Sequence, residues 1–424
     1  MVVSARTRRS ASLIPLVLAV LAGPVRAAVL LPMDDAQTDH LRAYGIAYYA
    51  LQRGGRVEWL LNYRGGSFLV DDDQGFDVEC RLRGVQFERL DASAIPAIRA
   101  EMDGANMESV VLEKAPSVAV YIPPTAEPWD DAVTLALTYA QIPYTEVWDE
   151  QVLAGELTGF DWVHLHHEDF TGQYGKFYAA YGQSDWYRAR EQRFEDAARR
   201  AGFASVAAHK SAVAEMIREY VAGGGFLFAM CSATETFDLA LACAGVDAVG
   251  VPYDGDPPDA DVQQKLDDSR TLAFCKFTLI TDPMVYEFSD IDTSSLPIHA
   301  GPGRDYFELF QFAAKEDPIL SLLVQNHTSR VHNFMGQTTG FRRDLVKPGV
   351  VILGDTAGTP EVKYLHGTLG KGTFTFLGGH DPEDYHHLVG DPPTELALHK
   401  HSPGYRLILN NILFPAARRR ERKT

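Results

Sequence analysis

Cys231 is the side chain in this sequence with the strongest claim to chemistry. It ends the run Gly223-Gly224-Gly225-Phe226-Leu227-Phe228-Ala229-Met230-Cys231, in which glycines close a helical pattern and five apolar residues read as a buried strand. A nucleophile on a sharp strand-to-helix turn needs tiny neighbours two positions to either side, because the backbone there passes close to itself and to the substrate. Ala229 and Ala233 meet that need. A thiol nucleophile also requires a base, and usually an acid to orient the base. His380 is the candidate base, since it follows the apolar run Thr373 to Leu377 and the pair Gly378-Gly379 and so should emerge, like Cys231, at the carboxyl end of a strand. Asp381 and Glu383 are the candidate acids beside it. The competing reading is that Cys231 is core packing, because free cysteine is among the most buried residue types.

A second constellation is His164, His166, His167, Glu168 and Asp169. Along a strand ending at His166, His164 and His166 share one face, and His167 to Asp169 lie at its carboxyl end. Such donors could bind a metal, but no HExxH or comparable spacing is present. The expectation is therefore that His166, His167 and Glu168 shape a pocket together with Ser232, with no metal and no other cofactor.

The elements that must position these residues alternate. Val29 to Pro32, Val57 to Leu61 and Gly84 to Leu90 read as strands with helices between them, a β-α-β unit in which Asp34-Asp35 cap the first helix. A second series starts after Pro116, with strands at Val118 to Ile122, Tyr144 to Trp148 and Trp162 to His166 and a helix capped by Asp130-Asp131. Residues 32–38 and 128–134 are alike at most positions, which is either a related pair of units or a common local solution met twice. Residues 270 to 345 read as an insertion or extended edge, Val350 to Leu353 and Val362 to Leu365 as closing strands, and Tyr405 to Leu413 as a final amphipathic helix. The Asp254 to Asp261 loop reads as solvated acids, since its spacing matches no EF-hand.

Cysteine after a strand with small flanks, followed late in the chain by a strand ending in His with Pro-Glu just after it, resembles the class I glutamine amidotransferase-like superfamily. The likeness covers residues 116 to 250 and 350 to 414. It implies a parallel flavodoxin-like α/β sheet flanked by helices, with Cys231 as nucleophile, His380 as base and Glu383 as orienting acid. Departures are Ala229 and Ala233 where the family usually has glycine, and His380-Asp381-Pro382-Glu383 where it has His-Pro-Glu. The ending GTFTFLGGHD with RLILNNILF is also similar to the trehalose-utilization-type branch. As a whole the chain resembles exported bacterial proteins labelled asparagine synthetase B, but that activity is unsupported: no Ser-Gly-Gly-x-Asp pyrophosphate loop is present, and a mature chain would not begin with Cys.

Composition bounds the rest. The chain has 424 residues and a net charge of −18, and its basic cluster is confined to Arg418 to Lys423, which argues against nucleic acid as a partner. Arg6, Arg8 and Arg9, an apolar stretch from Leu13 to Gly23 and Val25-Arg26-Ala27 read as a cleaved leader, implying an exported protein, periplasmic or extracellular, that starts near Ala28. That stretch is short of the ~20 residues a spanning helix needs. The four cysteines show no CxxC spacing; a Cys80 to Cys275 or Cys243 to Cys275 bridge would leave Cys231 free. The expected organisation is a leader (1–27), an N-terminal α/β unit (28–115), an amidotransferase-like domain (116–414, with an insertion at about 251–345) and a basic tail (415–424). The expected function is a Cys-dependent hydrolase of an amide, ester or glycan-linked substrate. The alternative is a non-catalytic ligand- or carbohydrate-binding module on the same fold.

Overall fold

Gly, Pro and Asp punctuation through the first part of the chain produces the expected strand-helix-strand start, but with a further strand lying between its two strands in the sheet. In the computed structural model, which describes residues 28–418 apart from 72–74, 92, 126, 128, 294–305 and 386–387, β1 (Ala28–Leu31), β2 (Val57–Leu61), β3 (Ser67–Asp71), β4 (Glu88–Leu90) and β5 (Glu108–Leu112) form one sheet. Its order is β4-β1-β3-β2-β5 and every neighbouring pair is antiparallel. β1 and β2, joined through helix His40–Gln52, are both antiparallel to β3 and so run the same way; β3 comes between them because Asn62, Arg64, Gly65 and Gly66 all have positive φ and reverse the chain at once after β2. Asp34 does not cap a helix. It is held by Arg64 at 2.7 Å, and Asp39 caps helix His40–Gln52 by accepting from the Arg42 amide. The expected leader and most of the basic tail lie outside the described residues.

The second sheet contains β6 (Val118–Tyr121), β7 (Thr145–Val147), β8 (Trp162–Leu165), β9 (Phe226–Met230), β10 (Tyr306–Leu309), β11 (Arg330–His332), β12 (Phe341–Arg342), β13 (Val351–Asp355), β14 (Glu361–Leu369) and β15 (Gly372–Leu377). The order is β11-β10-β13-β14-β15-β9-β8-β6-β7, with β12 paired to β14. From β15 to β7 the neighbours are parallel; from β15 to β11 they are antiparallel. The fold is thus mixed α/β, and the expected all-parallel sheet is corrected: the segment read as an insertion supplies antiparallel strands that extend it.

Both faces of this sheet are covered, which is why its strands read as unbroken apolar runs. Val118, Val120, Phe226 and Phe228 pack on one side in the core shared with helices His40–Gln52, Ala132–Ala140 and Pro403–Leu413. Ala119, Tyr121, Leu227 and Ala229 face the other side, with helices Val206–Gly223 and Ala233–Ala242. Helix His40–Gln52 approaches helix Ala132–Ala140 so closely that a Cβ on Gly45 would stand 1.8 Å from the Ala140 carbonyl oxygen. Among the described residues no helix is long and apolar enough to cross a membrane.

Arg406, fully buried, ties the antiparallel sheet to the final helix by donating to the Met33 carbonyl at 3.0 Å and the Gly65 carbonyl at 2.8 Å. His40 and His327 stack beside it with ring centroids 4.5 Å apart. Burial, with Arg406 adding to it, pushes His40 down to about 3 and His327 down to about 4. Both imidazoles bind protons less readily folded than unfolded, so their contribution to stability is complete above about pH 6.5 and is lost as pH falls through that value toward 4. For His40 the loss at pH 5 should be about 2 kcal/mol. Denaturant titrations at pH 7.5 and 5 should show His40→Gln losing less stability on acidification than wild type; equal losses would contradict this.

Candidate active site

The parallel register of β9 and β15 places Met230 opposite Leu377, so both chains leave the sheet side by side. The next residue is Cys231, whose N–H donates to the Gly379 carbonyl at 3.1 Å. Its φ is 51°, a left-handed conformation that costs a non-glycine residue energy and persists only where the surroundings enforce it. Here the enforcement is the abrupt change from strand to helix: β9 ends at Met230 and helix Ala233–Ala242 starts three residues later, with Ala233 N–H held by the His166 carbonyl at 3.0 Å. Ala229 and Ala233 are both fully buried, as the need for small neighbours implies.

His380 meets Cys231 across this junction, and the sulfur is a hydrogen-bond partner of its imidazole. The Cys231 sulfur also lies 3.3 Å from the Gln337 carbonyl, to which the neutral thiol donates; that contact is lost when the proton resides on His380. Gly379, at φ 87°, and Gly336, at φ 153°, let the two backbones close in; a Cβ on Gly336 would lie 2.8 Å from the His380 amide nitrogen.

A chain of imidazoles sets the proton positions. His164 Nδ1 faces the Phe228 carbonyl at 3.0 Å and must carry a hydrogen there, while burial pushes this ring down and keeps it neutral. Its Nε2 therefore accepts from His166 Nδ1 at 3.2 Å, and His166 Nε2 in turn accepts from His380 Nδ1 at 3.1 Å. His380 Nε2 meets the Asp130 backbone carbonyl at 2.9 Å, which again requires a hydrogen. With His166 neutral, both ring nitrogens of His380 are donors, the imidazolium state. Burial opposes that charge, but hydrogen bonding to Asp130 and Cys231 outweighs it and lifts His380 to about 10.

The acid is not where it was expected. Glu383 takes His399 Nδ1 at 2.9 Å and the Tyr385 hydroxyl at 3.0 Å. Asp381 accepts from the Tyr405 hydroxyl at 2.7 Å and from the Glu383 amide at 2.8 Å, closing the turn after His380. Both are committed to structure. The carboxylate beside His380 is Asp130, with Oδ1 3.9 Å from Nε2, while its neighbour Asp131 caps helix Ala132–Ala140 and lies 3.5 Å from His166. Asp130 stands in sequence as half of a double-Asp cap, and only the β6–β8 pairing shows that its loop reaches the end of β15.

A cavity of about 250 Å³ opens on Cys231, His380 and His167. Larger cavities of about 530 and 640 Å³ are lined by neither Cys231 nor His380, so we place the chemistry in the smaller one. Of the expected pocket residues, His167 lines it. His166 and Ser232 are sealed behind its wall, and Glu168 turns away to Arg190 and His167, its carboxyl pushed up to about 7 by burial. The Ser232 amide donates to no group among the described residues and stands at the start of helix Ala233–Ala242, the place of an oxyanion donor next to a nucleophile. His166, His167 and His380 also offer nitrogens within 4.8 Å of one another, an arrangement able to hold a metal ion. The four cysteines are all free, so neither of the two possible bridges forms.

No family model matches the chain, and no curated protein matches it. Among solved structures it is similar to Cytoplasmic Protein STM3548 from Salmonella typhimurium, at 12% identity over 72% of this chain and 100% of that one, with a TM-score of 0.34. Cytoplasmic Protein STM1381 from Salmonella typhimurium LT2 matches at 10% identity over 71% and 99%, also at 0.34. The GH42 β-galactosidase Gan42B matches at 10% identity over 63% of this chain and 28% of that chain, at 0.24. Likeness at this level carries no argument about activity. The expectation of an exported protein is not carried forward: the first two similar structures are titled cytoplasmic proteins, which is said of those proteins, and the residues read as a leader lie outside the described residues. The chemistry of the site does not depend on export.

Burial pushes the thiols of Cys80 and Cys243 up to about 12, leaving them little thiolate near neutral pH. With a small neutral alkylating reagent at pH 8, peptide mapping should find Cys231 modified before Cys80 and Cys243. Gly336→Ala should slow that modification about tenfold or more by displacing His380. Modification of Cys80 or Cys243 first would contradict the site.

Proposed function

We propose that this protein is a cysteine-dependent hydrolase of a small amide or ester, built on the class I glutamine amidotransferase-like plan. The observation that carries the reading is the left-handed Cys231 at a strand end in hydrogen-bond contact with a doubly protonated His380. Supporting it, the parallel strands lie in the order β7-β6-β8-β9-β15, which numbered along the chain is 2-1-3-4-5, the flavodoxin-like arrangement. In such sheets ligands bind at the carboxyl ends where the order reverses, here between β6 and β8, and Asp130, His167, Cys231 and His380 all follow strand ends on that side.

The steps balance with water alone. Cys231 Sγ attacks the substrate carbonyl carbon, forming a C–S bond, while the Ser232 N–H is placed to meet the developing oxyanion. His380 gives its proton to the leaving amine or alcohol as the C–N or C–O bond breaks. Water then attacks the thioester, His380 takes its proton, and the acid product leaves as the sulfur recovers its resting state. Asp130 holds the ring and stabilises its charge.

A panel of amide and ester substrates tests this. Cys231→Ala should abolish turnover, His380→Ala should reduce it by roughly 10²-fold or more, and Asp130→Asn should reduce it about tenfold, whereas Glu383→Gln should stay near wild type. If Glu383→Gln is the damaging change, the acid assignment is wrong. One tightly bound metal ion, with turnover surviving Cys231→Ala, would replace this reading with metal-assisted hydrolysis at His166, His167 and His380. Ligand binding without turnover would leave a binding module.

A further inference from the structure

The cavity on Cys231 carries a substrate preference of its own. Trp129, Phe177 and Tyr286 form its aromatic wall, and Met335, Leu388 and Val389 add apolar surface. Trp129 meets His167 edge-on at 5.3 Å and Phe177 at 5.4 Å, and Phe177 meets Tyr286 at 5.9 Å, so the three rings support one another. Trp186 backs the wall, 5.6 Å from Trp129 at 90°.

Charge is kept out of this space. Arg190, fully buried, is stacked on Trp129 at 4.9 Å and on Phe194 at 5.3 Å, within 4.0 Å of Glu127 and Glu168. The described lining holds no Lys, Arg, Asp or Glu. Of its two imidazoles, His380 already spends its charge on Asp130 and Cys231. A carboxylate or ammonium on the acyl part of a substrate would find no free opposite charge among the described lining residues. Size narrows the choice: a cavity of about 150 Å³ holds benzene, so about 250 Å³ takes one ring and the carbonyl attached to it, not a long chain.

We infer that the acyl group processed at Cys231 is a single uncharged aromatic or similarly compact apolar group, and that Trp129 and Phe177 determine this specificity. The inference rests on the cysteine-hydrolase reading above. It argues against glutamine as the preferred substrate, since the described lining offers the α-ammonium no carboxylate and the α-carboxylate no cation besides His380.

Two reagents with the same warhead test it on the full chain: N-benzyl-2-chloroacetamide, and the analogue bearing a carboxymethyl group in place of benzyl. The benzyl reagent should modify Cys231 at least about tenfold faster, equivalent to about 1.4 kcal/mol. Phe177→Leu and Trp129→Leu should each shrink that ratio toward one, with both rates normalised to that of unsubstituted chloroacetamide in the same folded variant. Two variants are needed because Trp129 also covers Arg190 and its loss could unsettle the fold. Equal rates for the two reagents, with His380→Ala still slowing modification, would overturn the aromatic pocket and leave the hydrolase reading standing. A Cys231 indifferent to His380→Ala with all three reagents would overturn the hydrolase reading, and this inference with it.

Discussion

The site depends on one backbone contact, the Cys231 N–H to the Gly379 carbonyl, which continues the parallel β9–β15 pairing one step beyond the sheet. It brings together a thiol and an imidazole from distant parts of the chain and forces the turn that puts Cys231 in the left-handed region. Strand pairing of this kind is buried on both faces and rigid, so the geometry rests on the sheet and not on loop conformation.

The second support is a set of buried ionisable groups behind the site. The segment from Phe334 to Gly340 crosses the carboxyl ends of the strands, giving Gln337 to the thiol and Gly336 to His380. Lys363 holds it from below by donating to the Phe334 carbonyl at 2.8 Å and the Thr339 carbonyl at 2.5 Å, and burial pushes its amine down to about 7. Glu235 accepts from Thr338 at 2.8 Å and Ser289 at 2.5 Å, its carboxyl raised by burial and by Asp292. Buried polar groups of this sort are costly unless every partner is in place, and here they fix the crossing segment in one position.

How much of this was legible in the sequence depended on the range of the interactions. Phe226 to Met230, Thr373 to Leu377, the small neighbours of Cys231 and the glycines before His380 announced the two strand ends, because periodicity and turn chemistry are local. The acid was not legible. Glu383 has the family spacing, yet Tyr385 and His399 occupy it, while Asp130 comes from a loop whose closeness to His380 is set by strand order alone. The strand Ser67–Asp71 that splits the N-terminal strand-helix-strand unit was missed for a similar reason, since the left-handed turn at Asn62 to Gly66 returns the chain at once and apolar patterning does not report it. The Phe334 to Gly340 segment was hidden in what read as an insertion.

Central to the site is that His380 is an imidazolium because its neighbours require both ring hydrogens. Nitrogen chemical shifts of histidine-labelled protein, with His380 assigned through His380→Gln, measure this directly. At pH 8 the His380 ring should be doubly protonated in wild type, and in Cys231→Ala, which removes one of the two groups that favour the charge, it should give up its proton at lower pH than in wild type. A neutral His380 at pH 8 in wild type would contradict it.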